Sequence, residues 1–179
     1  MLKGILRIAT LGGLATLLLT CGTAKAQSSE RFKTTGLAAK IGLFAPAGKE
    51  ARMGAGHQIF AVEADYVAQY LPDQGVTTVL SLGYIEKGAL RLIPMTLNQI
   101  FHKAGSSHSE TYYGYGFGLY SARLSSVDGS NGSKLLLGGA LTAGKNLNET
   151  TFIEAKYHIP FNYNSRDVGG LQLMYGKRF

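Results

Sequence analysis

The strongest constraint on this chain is a period of two. Phe60, Val62, Ala64, Tyr66, Ala68 and Tyr70 form one apolar or aromatic series, with Glu63, Asp65 and Gln69 interleaved. Thr151, Ile153, Ala155, Tyr157 and Ile159 form another, interleaved with Phe152, Glu154, Lys156 and His158. A helix would scatter these charges around its circumference, whereas a strand gathers them on one face. Eight such segments can be marked, near 36–44, 57–71, 76–85, 89–101, 111–124, 133–147, 150–159 and 168–179. The breaks between them carry turn chemistry: Pro46 and Gly48, Pro72 to Gly75, Glu86 to Gly88, Gly105 to Ser107, Asp128 to Gly132, Asn146 to Glu149, and Pro160 to Asp167. Pro94 falls inside the fourth segment and predicts a bulge or a barrel rim, because proline cannot donate to a ladder.

The amino terminus reads differently. Lys3 and Arg7 precede an apolar stretch from Ile8 to Thr20, and Ala24-Lys25-Ala26 follows. This is the charged region, short apolar region and small-residue cleavage site of a secretory signal peptide. The expected division is a signal peptide over 1–26 and one barrel domain over 27–179. Cys21 raises the alternative of lipidation, but Thr20 stands where a lipidation site prefers Gly, Ala or Ser. With cleavage after Ala26 the remaining chain has no cysteine, hence no internal disulfide and no thiolate metal site. Lys3, Arg7 and Lys25 leave with the signal, so three of the +7 charges are lost and nucleic acid is not expected as a partner. At 45% hydrophobic and 16% charged residues the chain is not disordered.

An exported chain of alternating strands has two main solutions. A soluble barrel or sandwich turns its apolar residues inward; a membrane barrel turns them outward. Many segments are long enough for a tilted membrane crossing. The carboxyl end adds a further sign: Leu171, Leu173, Tyr175 and the terminal Phe179 form an alternating apolar and aromatic series, interrupted by Lys177. This series resembles the last-strand assembly signal of bacterial outer-membrane barrels. Leu92 to Leu97 followed by Tyr112 to Tyr120 is similar to paired strands of the same class. The whole resembles the small outer-membrane β-barrels that include the OmpX-like proteins and the OmpA transmembrane domain.

That resemblance implies an all-β, up-and-down antiparallel membrane barrel of eight strands, placed in the outer membrane of a Gram-negative-type envelope. It implies outer-membrane lipid as surroundings, periplasmic chaperones and the barrel-assembly machinery as partners during biogenesis, and a monomer. It carries over no catalytic residue, cofactor or metal. With both ends periplasmic, the connections near 45–56, 86–88, 125–132 and 160–167 would face outward, and those near 72–75, 102–110 and 148–149 inward. Outer loops are usually the longer ones. The short 86–88 and the long 102–110 depart from that rule. Two alternatives remain: a soluble barrel holding a small apolar ligand, and a lipid-modifying barrel enzyme.

The candidate interior charges are Lys40, Glu63, Asp65, Glu154, Lys156 and His158. Desolvated charges need partners, so a salt-bridge network filling a narrow lumen is the expected arrangement, ahead of an ion path. His102 and His108 share a turn with Ser106, Ser107, Ser109 and Glu110, yet a hydrolytic triad needs a rigid pocket. Neither catalysis nor a metal site is expected from them. Tyr66, Tyr70, Tyr84, Tyr112, Tyr113, Tyr115, Tyr120, Tyr157 and Tyr175 are expected at the membrane interfaces. Gly114, Gly116 and Gly118 on an inward face would admit bulky neighbours across the lumen. Arg123, Lys134 and Arg166 are candidates for contacts with lipid phosphate.

Overall fold

A computed structural model describes residues 36–102, 111–125, 133–161 and 167–179. The segment assigned to the signal peptide, Cys21, the Ser106 to Glu110 group and Arg166 lie outside the described residues. Eight strands follow in order: β1 (Leu37–Pro46), β2 (Ile59–Leu71), β3 (Val76–Lys87), β4 (Leu90–His102), β5 (Thr111–Leu124), β6 (Ser133–Asn146), β7 (Thr151–Pro160) and β8 (Gly170–Arg178). Each pairs antiparallel with its sequence neighbours, and β1 also pairs with β8, so the sheet closes into a barrel. Closure leaves no open edge and satisfies the backbone within the wall. The first and third connections include a helix, α1 (Lys49–Ala55), and the two-residue link Gly88-Ala89. For brevity, the odd end carries the first, third, fifth and seventh connections, and the even end carries the others.

The pleat sorts the side chains. On the outer face of β4, Ile93, Met95, Leu97, Gln99 and Phe101 follow one another, while Leu92, Pro94, Thr96 and Asn98 turn inward. On β8, Leu171, Leu173 and Tyr175 face out, and Gln172 and Met174 are buried. Outward charges on the strands occur only near their ends: Glu86, Arg91 and Arg123 toward the odd end, Lys145 and Lys177 toward the even end. Between these rims the outer face of the strands carries no charge and is mostly apolar, with Gln99 and Ser121 among its few polar side chains. The eight steps from Ile93 to Phe101, at about 3.3 Å each and tilted by roughly 40°, rise about 20 Å along the axis. That approaches the apolar band of roughly 25 Å found on membrane barrels. Phe101 and Tyr113 stack at 5.6 Å on the outer face near the even end.

Two features differ from the sequence reading. Pro94 makes neither a bulge nor a rim. It sits within β4, pointing inward over Gly83, and the pairs Leu82 with Met95 and Ile85 with Leu92 keep one register on either side of it. A side chain at Gly83 would meet the proline ring at 2.8 Å, so glycine makes the room the ring needs. The irregularity lies instead in β2, where the register shifts between Val67 and Gln69. The second feature is α1, within the connection near 45–56 whose residues carry only turn chemistry in the sequence. It lays Ala51 and Ala55, one turn apart and both buried, onto the apolar odd end of the lumen. The Ala89 N–H donates to the carbonyl of Gly54 at 3.1 Å, tying the helix to the β3–β4 hairpin tip. Gly88, at φ +56°, brings that tip close. The short connection near 86–88 is therefore covered by the long one before it.

Inside, bulk is matched to absence of bulk. Tyr112 lies over its cross-strand partner Gly144, and Phe152 over its partner Gly176. A Cβ on either glycine would stand 2.2 Å from the ring. Overpacking of this kind typically costs about 1–3 kcal/mol. We expect Gly144→Ala to lower unfolding stability by about that amount. In a cycle with Tyr112→Ala the two changes should be strongly non-additive in denaturant unfolding; additive costs would contradict the pairing.

Candidate functional site in the barrel lumen

The lumen has three levels. At the odd end Phe44, Ile59, Ile85, Leu90, Leu92 and Tyr120 join the α1 alanines in one apolar cluster. At the even end Val79, Ile100, Tyr112 and Phe152 form a second, smaller cluster. Between them lie the charges.

Five of the six candidate interior charges meet at this middle level. Lys40 Nζ lies 2.8 Å from Asp65 and 2.8 Å from Glu154, and also contacts Glu63. Lys156 contacts Glu63 and stands 3.7 Å from Glu154. Register explains the convergence. Lys40 pairs with Glu63 across β1–β2, and Glu154 is two residues from Lys156 on β7. All are inward by parity, and the lumen is narrow enough for opposite walls to touch. The Ser81 hydroxyl donates to Asp65 at 2.6 Å, and the Tyr112 hydroxyl donates to Glu154 at 3.0 Å. Each carboxylate is thus met by at least one ammonium, which is the condition for keeping such groups out of water.

His158 stands apart from the ion pairs. It is buried one layer toward the odd end, with Nε2 hydrogen-bonded to Gln172 Oε1 and Nδ1 3.4 Å from the Tyr120 hydroxyl. Its ring tilts against Phe44 and meets Tyr120 edge-on. The series Leu171, Leu173, Tyr175 and Phe179 lies on the outside, each 41–57% exposed.

Tyr112 and Tyr120 depart from the expected interfacial girdles: both are buried in the lumen. Parity carried the signal, since both share the inward face of β5 with Gly114, Gly116 and Gly118. Tyr66, Tyr84, Tyr113, Tyr157 and Tyr175 do face outward. His102 lies in β4, where Nε2 is 2.9 Å from the Thr77 hydroxyl. Sequence reasoning missed Ser81, Asn98 and Gln172 as lumen polar groups, although period two in their strands places them inward. It also missed Arg91, which pairs directly with Arg123 across β4–β5 on the outer face.

The lumen is not a continuous channel among the described residues. The apolar cluster fills its odd end, and a cavity of about 400 Å³ occupies the even end above the charges. Asp65, Ser81, Asn98, Thr142 and Glu154 line its floor together with Lys40 and Lys156. Removing one charge strands the rest. Lys40→Met should cost about 3–5 kcal/mol in denaturant unfolding of the refolded barrel, because three carboxylates then face one ammonium. A cost below about 1 kcal/mol would mean the charges are solvated like a surface pair.

No family model matches the chain, and no curated protein matches it in sequence. Solved structures do match in fold. The chain is similar to Neisserial surface protein A, NspA, with a TM-score of 0.62 at 14% identity, covering 79% of this chain and 94% of that one. It is similar to the outer membrane enzyme PagL, with a TM-score of 0.53 at 13% identity, over 79% and 98% of the two chains. The N-terminal β-barrel domain of Pseudomonas aeruginosa OprF matches with a TM-score of 0.50 at 14% identity, over 79% and 97%. With the closed antiparallel topology and the apolar outer face, these likenesses give the chain the fold of the small eight-strand outer-membrane β-barrels.

Proposed function

We propose that this chain is an integral barrel of a Gram-negative-type outer membrane, with a structural or surface-interaction role and no catalysis. The observation that carries this reading is the arrangement of the outer face. Leu82, Leu97, Leu137, Leu141 and Leu173 are exposed at or near mid-strand, and outward charges on the strands stand only near their ends. A monomeric soluble protein seldom exposes an apolar patch beyond a few hundred Å², and a barrel girdled by such side chains would aggregate in water. The same arrangement opposes the soluble alternative, which needs the reverse polarity. Export, cleavage after Ala26 and handling by periplasmic chaperones and the assembly machinery belong to this proposal, as do lipid surroundings and a monomeric state.

The rim at the odd end fits contact with lipid headgroups. Arg91 and Arg123 face each other across β4–β5, and like charges directly opposite destabilise a sheet unless offset. Glu86 lies 3.0 Å from Arg123 and directly opposite Arg91 across β3–β4, so one carboxylate faces two guanidinium groups. An anionic headgroup at this rim would offset the remaining positive charge.

The decisive measurement places a charge on the outer belt. Leu82 is 54% exposed near the middle of β3. In a bilayer, Leu82→Arg should cost about 2–4 kcal/mol. In a soluble barrel the same change at an exposed site would stay within about 0.5 kcal/mol. Membrane fractions should retain the wild-type protein through carbonate extraction, and its gel mobility should change on heating. Release by carbonate, or a near-neutral Leu82→Arg, would overturn the proposal.

A further inference from the structure

We propose that the odd-end rim of the outer face is a binding site for the terminal phosphate of an anionic lipid, bracketed by Arg91 and Arg123. The inference rests on the membrane reading, because only a wall set in lipid brings such a headgroup to this rim, and it goes further by naming the headgroup.

Register sets four side chains in one row along the outer face. Glu86 pairs with Arg91 across β3–β4, Arg91 with Arg123 across β4–β5, and Arg123 with Ser133 across β5–β6. The two arginines reach past each other. Arg91 crosses β5 and donates to the Ser133 hydroxyl at 2.9 Å, while Arg123 crosses β4 and meets Glu86 at 3.0 Å. Both guanidinium groups are thereby laid over the β4–β5 pair. The Tyr84 hydroxyl donates to Glu86 from the same face. Among the described residues Arg91 has this hydrogen bond to Ser133 and no ion pair. Arg123 keeps 31% of its side chain exposed, so an occupant can reach the row from outside.

The row holds two guanidinium groups against one carboxylate. Like charges opposite each other destabilise a sheet, and more so where lipid lowers the dielectric. Guanidinium meets phosphate bidentately, through two parallel N–H···O bonds. A terminal phosphate carries about −1.5 to −2 charge and three acceptor oxygens, so it can engage both arginines at once. A phosphodiester offers fewer free oxygens and less charge. A zwitterionic headgroup also brings an ammonium against the guanidinium groups.

The rows toward mid-wall suit the rest of the lipid. Ile93, Ser121 and Leu135 form the next row, and Leu82, Met95, Leu119 and Leu137 the one after. The latter is wholly apolar, and acyl chains hanging from a phosphate at the rim would run over it. The even-end rim lacks the arrangement. Lys145 faces Thr111 and Ile153, and Lys177 faces Thr151 and Ala39, so neither lies opposite a second cation.

The test titrates dioctanoyl lipids into the full chain purified from membranes in detergent, with the Arg91 and Arg123 Nε–H resonances as the readout. Dioctanoyl phosphatidic acid should shift both saturably. It should bind at least about tenfold tighter than dioctanoyl phosphatidylcholine, and severalfold tighter than dioctanoyl phosphatidylglycerol. Inorganic phosphate, which has no chains, should bind at least about tenfold more weakly than phosphatidic acid. Arg91→Lys and Arg123→Lys keep the charge and lose the fork; read at the remaining arginine, each should weaken phosphatidic acid about tenfold. Glu86→Gln, which removes the competing carboxylate, should tighten it severalfold. Lys145→Gln combined with Lys177→Gln should leave it unchanged. Heat-modifiable mobility confirms that each variant is folded. Equal affinity for the three lipids, inorganic phosphate binding as tightly as phosphatidic acid, or an equal loss of affinity in the two-lysine variant would each overturn the proposal. Carbonate extraction keeps the two readings apart. Release of the wild-type protein overturns the membrane reading and this one with it, whereas retention with equal lipid affinities overturns this one alone.

Discussion

The structure depends on how little room eight strands enclose. Closing β1 onto β8 fixes the circumference, and the circumference fixes a lumen about two side chains across. Every inward position must then be chosen against the positions facing it. Large residues meet glycines: Tyr112 over Gly144, Phe152 over Gly176, Pro94 over Gly83. Ten of the chain's 24 glycines lie within strands, and those at inward positions follow from this constraint rather than from loop flexibility. A proline in mid-strand becomes tolerable for the same reason. It costs a ladder donor, but its ring fills space that a glycine opposite has vacated.

The same narrowness makes the charge cluster possible. Lysine and glutamate side chains from β1, β2 and β7 can reach a common point only because opposite walls are close. Removed from water, they hold one another in place, and each wall is tied to another by a contact that is not a backbone hydrogen bond. The network therefore does in the lumen what an apolar core does in a soluble domain. It differs in being directional: a wrong register would strand a charge, so the pairing of strands and the pairing of charges enforce each other.

Period two made most of this readable in the sequence. It identified Glu63, Asp65, Glu154 and Lys156 as inward, and it placed Leu171, Leu173 and Tyr175 on one face. Parity cannot rank neighbours along the axis. His158 has the same parity as Glu154 and Lys156 but sits a layer away, with its ring nitrogens on Gln172 and Tyr120 and its ring against Phe44. Composition misled where it outweighed parity. As tyrosines, Tyr112 and Tyr120 suggest the outer girdles, although the glycines at alternate positions between them mark their face as inward. The helix α1 was hidden because seven residues give too short a window for a period of 3.6 to show.

The two ends of the lumen are built for different things. The odd end is closed from within by large apolar side chains and from above by α1, with the hydrogen-bonded His158 and Gln172 buried beneath them. The even end narrows onto a charged floor and keeps space above it. A barrel whose interior served only to be filled would be expected to pack both ends alike, since empty volume lowers stability at either. Here every strand contributes an inward side chain to the lining of the space, among them Lys40, Val79, Tyr112, Thr142 and Phe152. Larger side chains at Val79 or Thr142 would narrow the cavity without disturbing the outer face. The space is thus a property of inward positions around the whole wall, separable from the residues of the outer face.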